Sequence, residues 1–276
     1  MKIAAAILLS LVALTASASN AEPTLATTQL IAIHGHHIAF HVTPGKTPAI
    51  VLDAGSGLDA NYWSTVVPEL SKRTGREIIT YDRSGFGSSE EVPGPWNLQS
   101  ATDDLEAGLK KLGATHGIIL AAHSLAGEIA LTLANRHPEW LAGVVLVDAN
   151  VPQYFTDDVV KQMSTQLEPA VQAAKAGPSS PEARQFIAVS ASFAQTSHAF
   201  HQSTWPASVP AIVIVSEKTP FATPHEAQWW RDAHAQFAQA APNRRLVVAE
   251  RSSHDIAHDR PDVIIQGVVD LAGGKP

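Results

Sequence analysis

The sequence predicts an α/β protein with a mainly parallel, doubly wound sheet, helices on both faces and an inserted helical cap. Three observations lead there. Short continuous apolar runs recur, as at residues 49–52, 141–147 and 212–215, which is the pattern of strands buried on both faces of a parallel sheet. Helical periodicity alternates with these runs, as strand–helix units require. Between residues 151 and 208 the strand-like runs vanish, and helical patterning rich in Ala and Gln replaces them.

Composition bounds the rest. The 276 residues are 45% hydrophobic and 16% charged, which gives enough chain to bury a large core. The formal net charge is −7 and no basic run is present, so nucleic acid and anionic membrane surfaces are not expected partners. There is no cysteine, hence no disulfide, thiolate metal site or thiol nucleophile. Met1-Lys2, an apolar run over 3–14 and a small, polar stretch over 15–21 occur in the order of a secretory signal. The apolar run is too short for a lasting membrane span. The expectation is a signal peptide over 1–21, cleaved after Ala18 or, preferably, Ala21. The mature protein would be secreted or periplasmic, without stable membrane insertion. Residues 22–150 and 209–276 then form the core and 151–208 the cap. No feature specifies an oligomeric state.

Taken in order, residues 28–42 read as two short strands joined at His34-Gly35-His36. The four histidines there (His34, His36, His37 and His41) lack the spacing of a metal motif and read as part of a surface hairpin. A strand over 49–52 runs into Asp53-Ala54-Gly55-Ser56-Gly57. Glycines let such a turn aim backbone N–H groups at a ligand. A helix is expected over 62–74, with Trp63, Val66, Val67 and Leu70 on one face. A strand over 77–82 leads into Arg83-Ser84-Gly85-Phe86-Gly87, and a helix follows over 100–112. The apolar run from 117 ends abruptly at His123-Ser124, and the next helix, 125–137, stops before Pro138. A strand over 141–147 closes at Asp148-Ala149-Asn150. The cap should hold two or three helices, broken at Gly177-Pro178-Ser179-Ser180-Pro181. A strand over 210–215, a helix over 224–240 and a strand over 245–249 follow. The polar loop Ser252-Ser253-His254-Asp255 and a last helix over 261–271 complete the chain.

The stretch around Ser124 is written as strand, sharp turn and helix with serine at the apex. Such a turn pushes the hydroxyl out above the end of a sheet. Serine is a poor nucleophile at neutral pH and needs a base within hydrogen-bond reach. His254 is the candidate, since it follows the last strand at the carboxyl edge where doubly wound sheets carry their sites.

Four stretches, in this order, resemble the α/β-hydrolase superfamily: residues 51–57, residues 81–88, Ala122-His123-Ser124-Leu125-Ala126-Gly127, and Ser253-His254 followed by Arg260-Pro261. They cover most of 48–150 and 210–270. The resemblance implies a serine hydrolase that acts on carboxylic esters through an acyl-enzyme, with Ser124 as nucleophile and His254 as base. It implies an oxyanion hole from the N–H groups of Ser56 and Leu125, no metal or organic cofactor, and a small ester or related acyl compound as substrate. The same fold also serves lyases, cofactor-free haloperoxidases and non-catalytic binding proteins. An aspartate nucleophile is excluded, because residue 124 is serine.

The chain departs from the family pattern at three points. Ala122 and Ala126 stand where the family's elbow has glycines, and each adds one methyl. Ala54 stands where a histidine usually precedes Gly55. Thr219 occupies the turn where the triad aspartate is often found. Two carboxylates can replace it: Asp148, after the strand that carries the acid in haloalkane dehalogenases, and Glu217, in the usual turn. Asp148 is preferred. Tyr81-Asp82-Arg83 is normally a structural turn in this superfamily and is left out of the catalytic set.

Overall fold

The computed structural model describes residues 26–273. The segment read as an export signal lies outside the described residues. Eight strands form one sheet: β1 (Thr27–Ile33), β2 (His36–Thr43), β3 (Lys46–Asp53), β4 (Arg76–Tyr81), β5 (Ile118–His123), β6 (Leu141–Val147), β7 (Ala211–Ser216) and β8 (Arg244–Ala249). Their order across the sheet is β1-β2-β4-β3-β5-β6-β7-β8. The β1–β2 hairpin joins β4 antiparallel, and every pairing from β4 to β8 is parallel. Parallel neighbours need crossover connections, and helices supply them: α1 (Val67–Thr74), α2 (Leu98–Leu112), α3 (Ala126–Arg136) and α6 (Pro224–Gln239). The chain ends on α7 (Ile256–Asp259) and α8 (Pro261–Ala272).

Strand alternation sorts the core into two layers. Ile50, Leu52 and Ile78 face one side with Leu70 of α1 and Ile264, Val268 and Leu271 of α8. Val51, Ile79 and Leu120 face the other side with Leu105 and Leu109 of α2, Ile129 and Leu133 of α3, and Trp230 and Phe237 of α6.

The helix expected over 62–74 is divided. Residues Ala60–Trp63 form a 3₁₀ turn, and α1 starts only at Val67. Pro68 explains the break. Proline lacks an N–H and its ring clashes with the carbonyl four residues earlier, so it suits the first turn of a helix but not its interior.

Between β6 and β7 lie two long helices, α4 (Asp157–Ala176) and α5 (Pro181–His201). Thr156 and Ser180 cap them, each side chain accepting an N–H from the first turn. They pack on each other more extensively than on any core helix or strand. A small apolar cluster of Leu167, Val171, Phe186 and Val189 joins them, and Leu125 packs against it. Among the described residues no helix is long and apolar enough to cross a membrane.

Candidate active site

Ser124 stands between the last residue of β5 and the first of α3, with φ of 54°. Its N–H donates to Val147 O at 3.3 Å, and its carbonyl accepts from Gly127 N at 3.0 Å and Asn150 N at 2.8 Å. The turn is therefore pinned to the end of β6. Ala122 and Ala126 are fully buried there, so the space around the turn holds both methyls. Gly127 has no such room, because a Cβ would collide with the Asn150 carbonyl.

Three side chains form one hydrogen-bonded line. His254 Nε2 lies 3.1 Å from Ser124 Oγ, and His254 Nδ1 lies 2.7 Å from Asp148 Oδ2. Asp148 is completely buried and has φ of 41°. Ser216 Oγ donates to its Oδ2 at 2.6 Å, while Ser216 N–H and Trp230 Nε1–H donate to Oδ1 at 3.1 and 2.8 Å. Burial alone would raise the carboxyl pKa. The opposing hydrogen bonds and charge, those of His254 foremost, bring it down to about 2. Asp148 is thus ionised, and with a carboxylate on Nδ1 the imidazole keeps its proton there and presents a bare Nε2 to the serine.

Glu217 lies elsewhere. It is exposed, and its Oε2 accepts the Arg251 N–H at 2.6 Å. Successive strand residues point to opposite sides. Ser216, at the end of β7, points at Asp148, so the next residue faces away from it.

His123 supports the loop that carries His254. Its Nε2–H donates to His254 O at 3.1 Å, and its ring stacks on Tyr62 with centroids 4.5 Å apart. Burial, and then the proximity of His254, holds its pKa well below the ordinary histidine value, so the ring is neutral.

The turn after β3 is braced from beneath. The buried Arg83 guanidinium donates through Nη1 to Asp53 Oδ1 and Ala54 O, each at 2.5 Å, and through Nη2 to Gly55 O. Burial pushes the Asp53 carboxyl up and Arg83 counters it. In a trans peptide the C=O and the following N–H point in opposite directions. Fixing Gly55 O on Arg83 therefore fixes the direction of the Ser56 N–H. Among the described residues neither the Ser56 N–H nor the Leu125 N–H has a hydrogen-bond partner. Gly55 must be glycine, since a Cβ would lie 2.6 Å from His123 Nδ1 and 3.1 Å from Ser124 Cβ. Arg83 thus supports the turn that carries Ala54 and Gly55. Sequence reading set it aside as part of a structural turn, and no local signal ties it to residues 53–55.

A cavity of about 20 Å³ adjoins Ser124, lined also by Leu125, Glu128, Asn150, Phe155, Val189 and Phe193. That is room for about one water molecule. A larger cavity of about 400 Å³ is lined by His34, His36, Arg83, Trp96, Asp104 and Gln185 among others, and by no member of the Ser124–His254–Asp148 line. The four hairpin histidines each meet a carboxylate: His34 with Asp104 at 3.8 Å, His36 with Asp104 at 3.0 Å, His37 with Glu90 at 3.1 Å and His41 with Asp82 at 3.1 Å. Among the described residues no group of three or more His, Asp or Glu could hold a metal ion.

The model of the alpha/beta hydrolase family matches residues 50–266. The chain belongs to that family. Over 101 residues this member is 30% identical to a Caulobacter segnis protein named "Putative carbamate hydrolase RutD", a match that covers 36% of this chain and 37% of the relative's length. The structural likeness is longer. A thermophilic esterase from Thermogutta terrifontis shares a TM-score of 0.61 at 20% identity, over 90% of this chain and 98% of its own. A bromoperoxidase from Bacillus anthracis shares a TM-score of 0.62 at 20% identity, over 90% and 99%. Both are alike in fold to this member of the family.

Proposed function

We propose that the protein is a serine esterase that cleaves small carboxylic esters through an acyl-enzyme, with residues 151–208 serving as a cap over the site. One observation carries the reading: the unbroken line Ser124 Oγ, His254 Nε2, His254 Nδ1 and Asp148 Oδ2, with links of 3.1 and 2.7 Å. Asp148 at the end of the line is held ionised. Ser124 Oγ attacks the ester carbonyl carbon while His254 Nε2 takes its proton. Asp148 stabilises the resulting imidazolium and keeps it oriented. The oxyanion accepts from the unpaired N–H groups of Leu125 and Ser56. When the tetrahedral intermediate collapses, the C–O bond to the alcohol breaks and His254 returns the proton to the leaving oxygen. Water then repeats the sequence on the acyl-enzyme and releases the acid. We further propose that the chain works outside the cytoplasm, on the strength of the leader pattern in residues 1–21.

A fluorophosphonate probe tests the chemistry. The expected result is covalent labelling of the wild type, lost in Ser124→Ala and His254→Ala, with hydrolysis of p-nitrophenyl esters falling by at least about 10³-fold in each. A wild type that neither labels nor turns over would favour a fold kept for binding alone.

A further inference from the structure

The wall of the Ser124 cavity is not hydrocarbon alone. Alongside Leu125, Phe155, Val189 and Phe193 it contains Glu128 and Asn150. These two are only 3% and 5% exposed. Asn150 Nδ2 donates to Glu128 Oε1 at 2.7 Å, which fixes the amide's orientation. The remaining oxygens, Glu128 Oε2 and Asn150 Oδ1, are buried and have no hydrogen-bond partner.

Neither oxygen takes part in the proposed acyl transfer, and neither hydrogen-bonds to Ser124, His254 or Asp148. Pinning the elbow does not require the side chain of Asn150, whose backbone N–H performs that task. A buried polar atom left unpaired is costly. Two of them together, on neighbouring residues that line a cavity beside a reactive serine, point to a group that enters the cavity and bonds to them. An amide oxygen always accepts, and a carboxylate oxygen accepts when ionised. Burial raises Glu128 to about 7, so both its forms exist near neutrality. The incoming group must therefore bring a donor. The cavity has room for one water-sized group, so it takes the donor itself, a hydroxyl or amino group, and not the chain that carries it. It also suits the part of an ester that stays on Ser124, because the alcohol must leave while the acyl group waits for water.

We propose that Glu128 and Asn150 form an acyl-end subsite that selects short acyl groups bearing a hydroxyl or amino group over plain alkyl chains of the same length. This rests on the esterase reading and names its substrate class. A site built to hydrogen-bond a substrate group discriminates strongly against analogues that lack it, because its own polar atoms are then left unpaired.

The test compares kcat/KM for p-nitrophenyl esters of butanoic, 2-hydroxybutanoic, 3-hydroxybutanoic and 3-aminobutanoic acids on a single preparation. At least one donor-bearing ester should exceed butanoate by about tenfold or more, and the ranking of hydroxyl against amino identifies the donor. Glu128→Leu should bring the ratio to about one. Glu128→Gln, which keeps the shape, is the second variant and should lower it at least threefold. The ratio does not depend on how much of a preparation is folded, and a merely structural pair would slow all four esters alike. A wild-type ratio near one, or a ratio untouched in both variants, overturns the inference. If Ser124 labels and butanoate is hydrolysed without donor preference, the inference alone falls. If nothing labels or turns over, the esterase reading falls with it.

Discussion

Asp148 accepts from Ser216 twice, from Trp230 and from His254, all without solvent. Its role separates from that of Glu217 by mutation. Asp148→Asn should lower turnover by about 10⁴-fold, because an amide on Nδ1 no longer holds the needed tautomer. Glu217→Gln should stay within about twofold, since its carboxylate serves the Arg251 N–H. Equal losses in steady-state assays would argue against Asp148. Stability follows the same carboxyl. Its pKa falls from 3.8 to about 2 on folding. The stabilisation is therefore present above the unfolded value and lost as pH falls from about 4 to about 2, and it amounts to about 2 kcal/mol. Denaturant titration should show Asp148→Asn losing less stability than the wild type across that window. Glu128 has the opposite sign. Burial raises its pKa from 4.5 to about 7. The cost of ionising it is absent below the unfolded value and complete above the folded one, at about 3 kcal/mol. Thermal melts should show Glu128→Gln gaining on the wild type as pH rises from about 4.5 to about 8.

The loop after β3 depends on an arginine that follows β4. Arg83→Met leaves Asp53 as a buried charge without its partner and frees the Gly55 carbonyl. It should cost about 3–5 kcal/mol in denaturant unfolding and about 10²-fold in kcat, as loss of one oxyanion donor does. Adding Asp53→Leu should restore much of the stability but not the turnover, because nothing then aims the Ser56 N–H. Recovery of both would mean that Arg83 acts on stability alone. This brace also marks where sequence reading ends. The Ser124 turn is local, with strand, apex and helix adjacent in the chain, so it could be read directly. The contact of Arg83 with Gly55 exists only because β3 and β4 pair across an intervening helix. The acid was ambiguous for a related reason. Asp148 and Glu217 follow neighbouring strands at one edge, and only the outward alternation after Ser216 decides which of them faces His254. The helix over 62–74 failed on a local cue that was present, Pro68.

Parallel strands point the same way, so β3, β5, β6, β7 and β8 deliver Ser56, Ser124, Asp148, Ser216 and His254 to one rim of the sheet. That gathering was readable from the expectation of a mainly parallel sheet with its site at the carboxyl edge. The cover was not. The alanines and glutamines of 157–201 gave helices, but not Phe155, Val189 and Phe193 closing on Ser124. Because α4 and α5 pack mainly on each other, they should open more easily than the sheet. Native-state hydrogen exchange should give their amides lower opening free energies than those of β3 to β7. Equal protection would argue for a rigid lid and a site restricted to substrates that fit it closed.

Ser124 and Asp148 both have positive φ, at 54° and 41°. Any residue with a Cβ finds that conformation unfavourable, by about 1 kcal/mol, and glycine does not. A chemically dead protein with glycine at position 124 should therefore melt higher than one with alanine there, although both lack the hydroxyl. The difference between those two melting curves measures how much of the fold's stability the posture of residue 124 consumes.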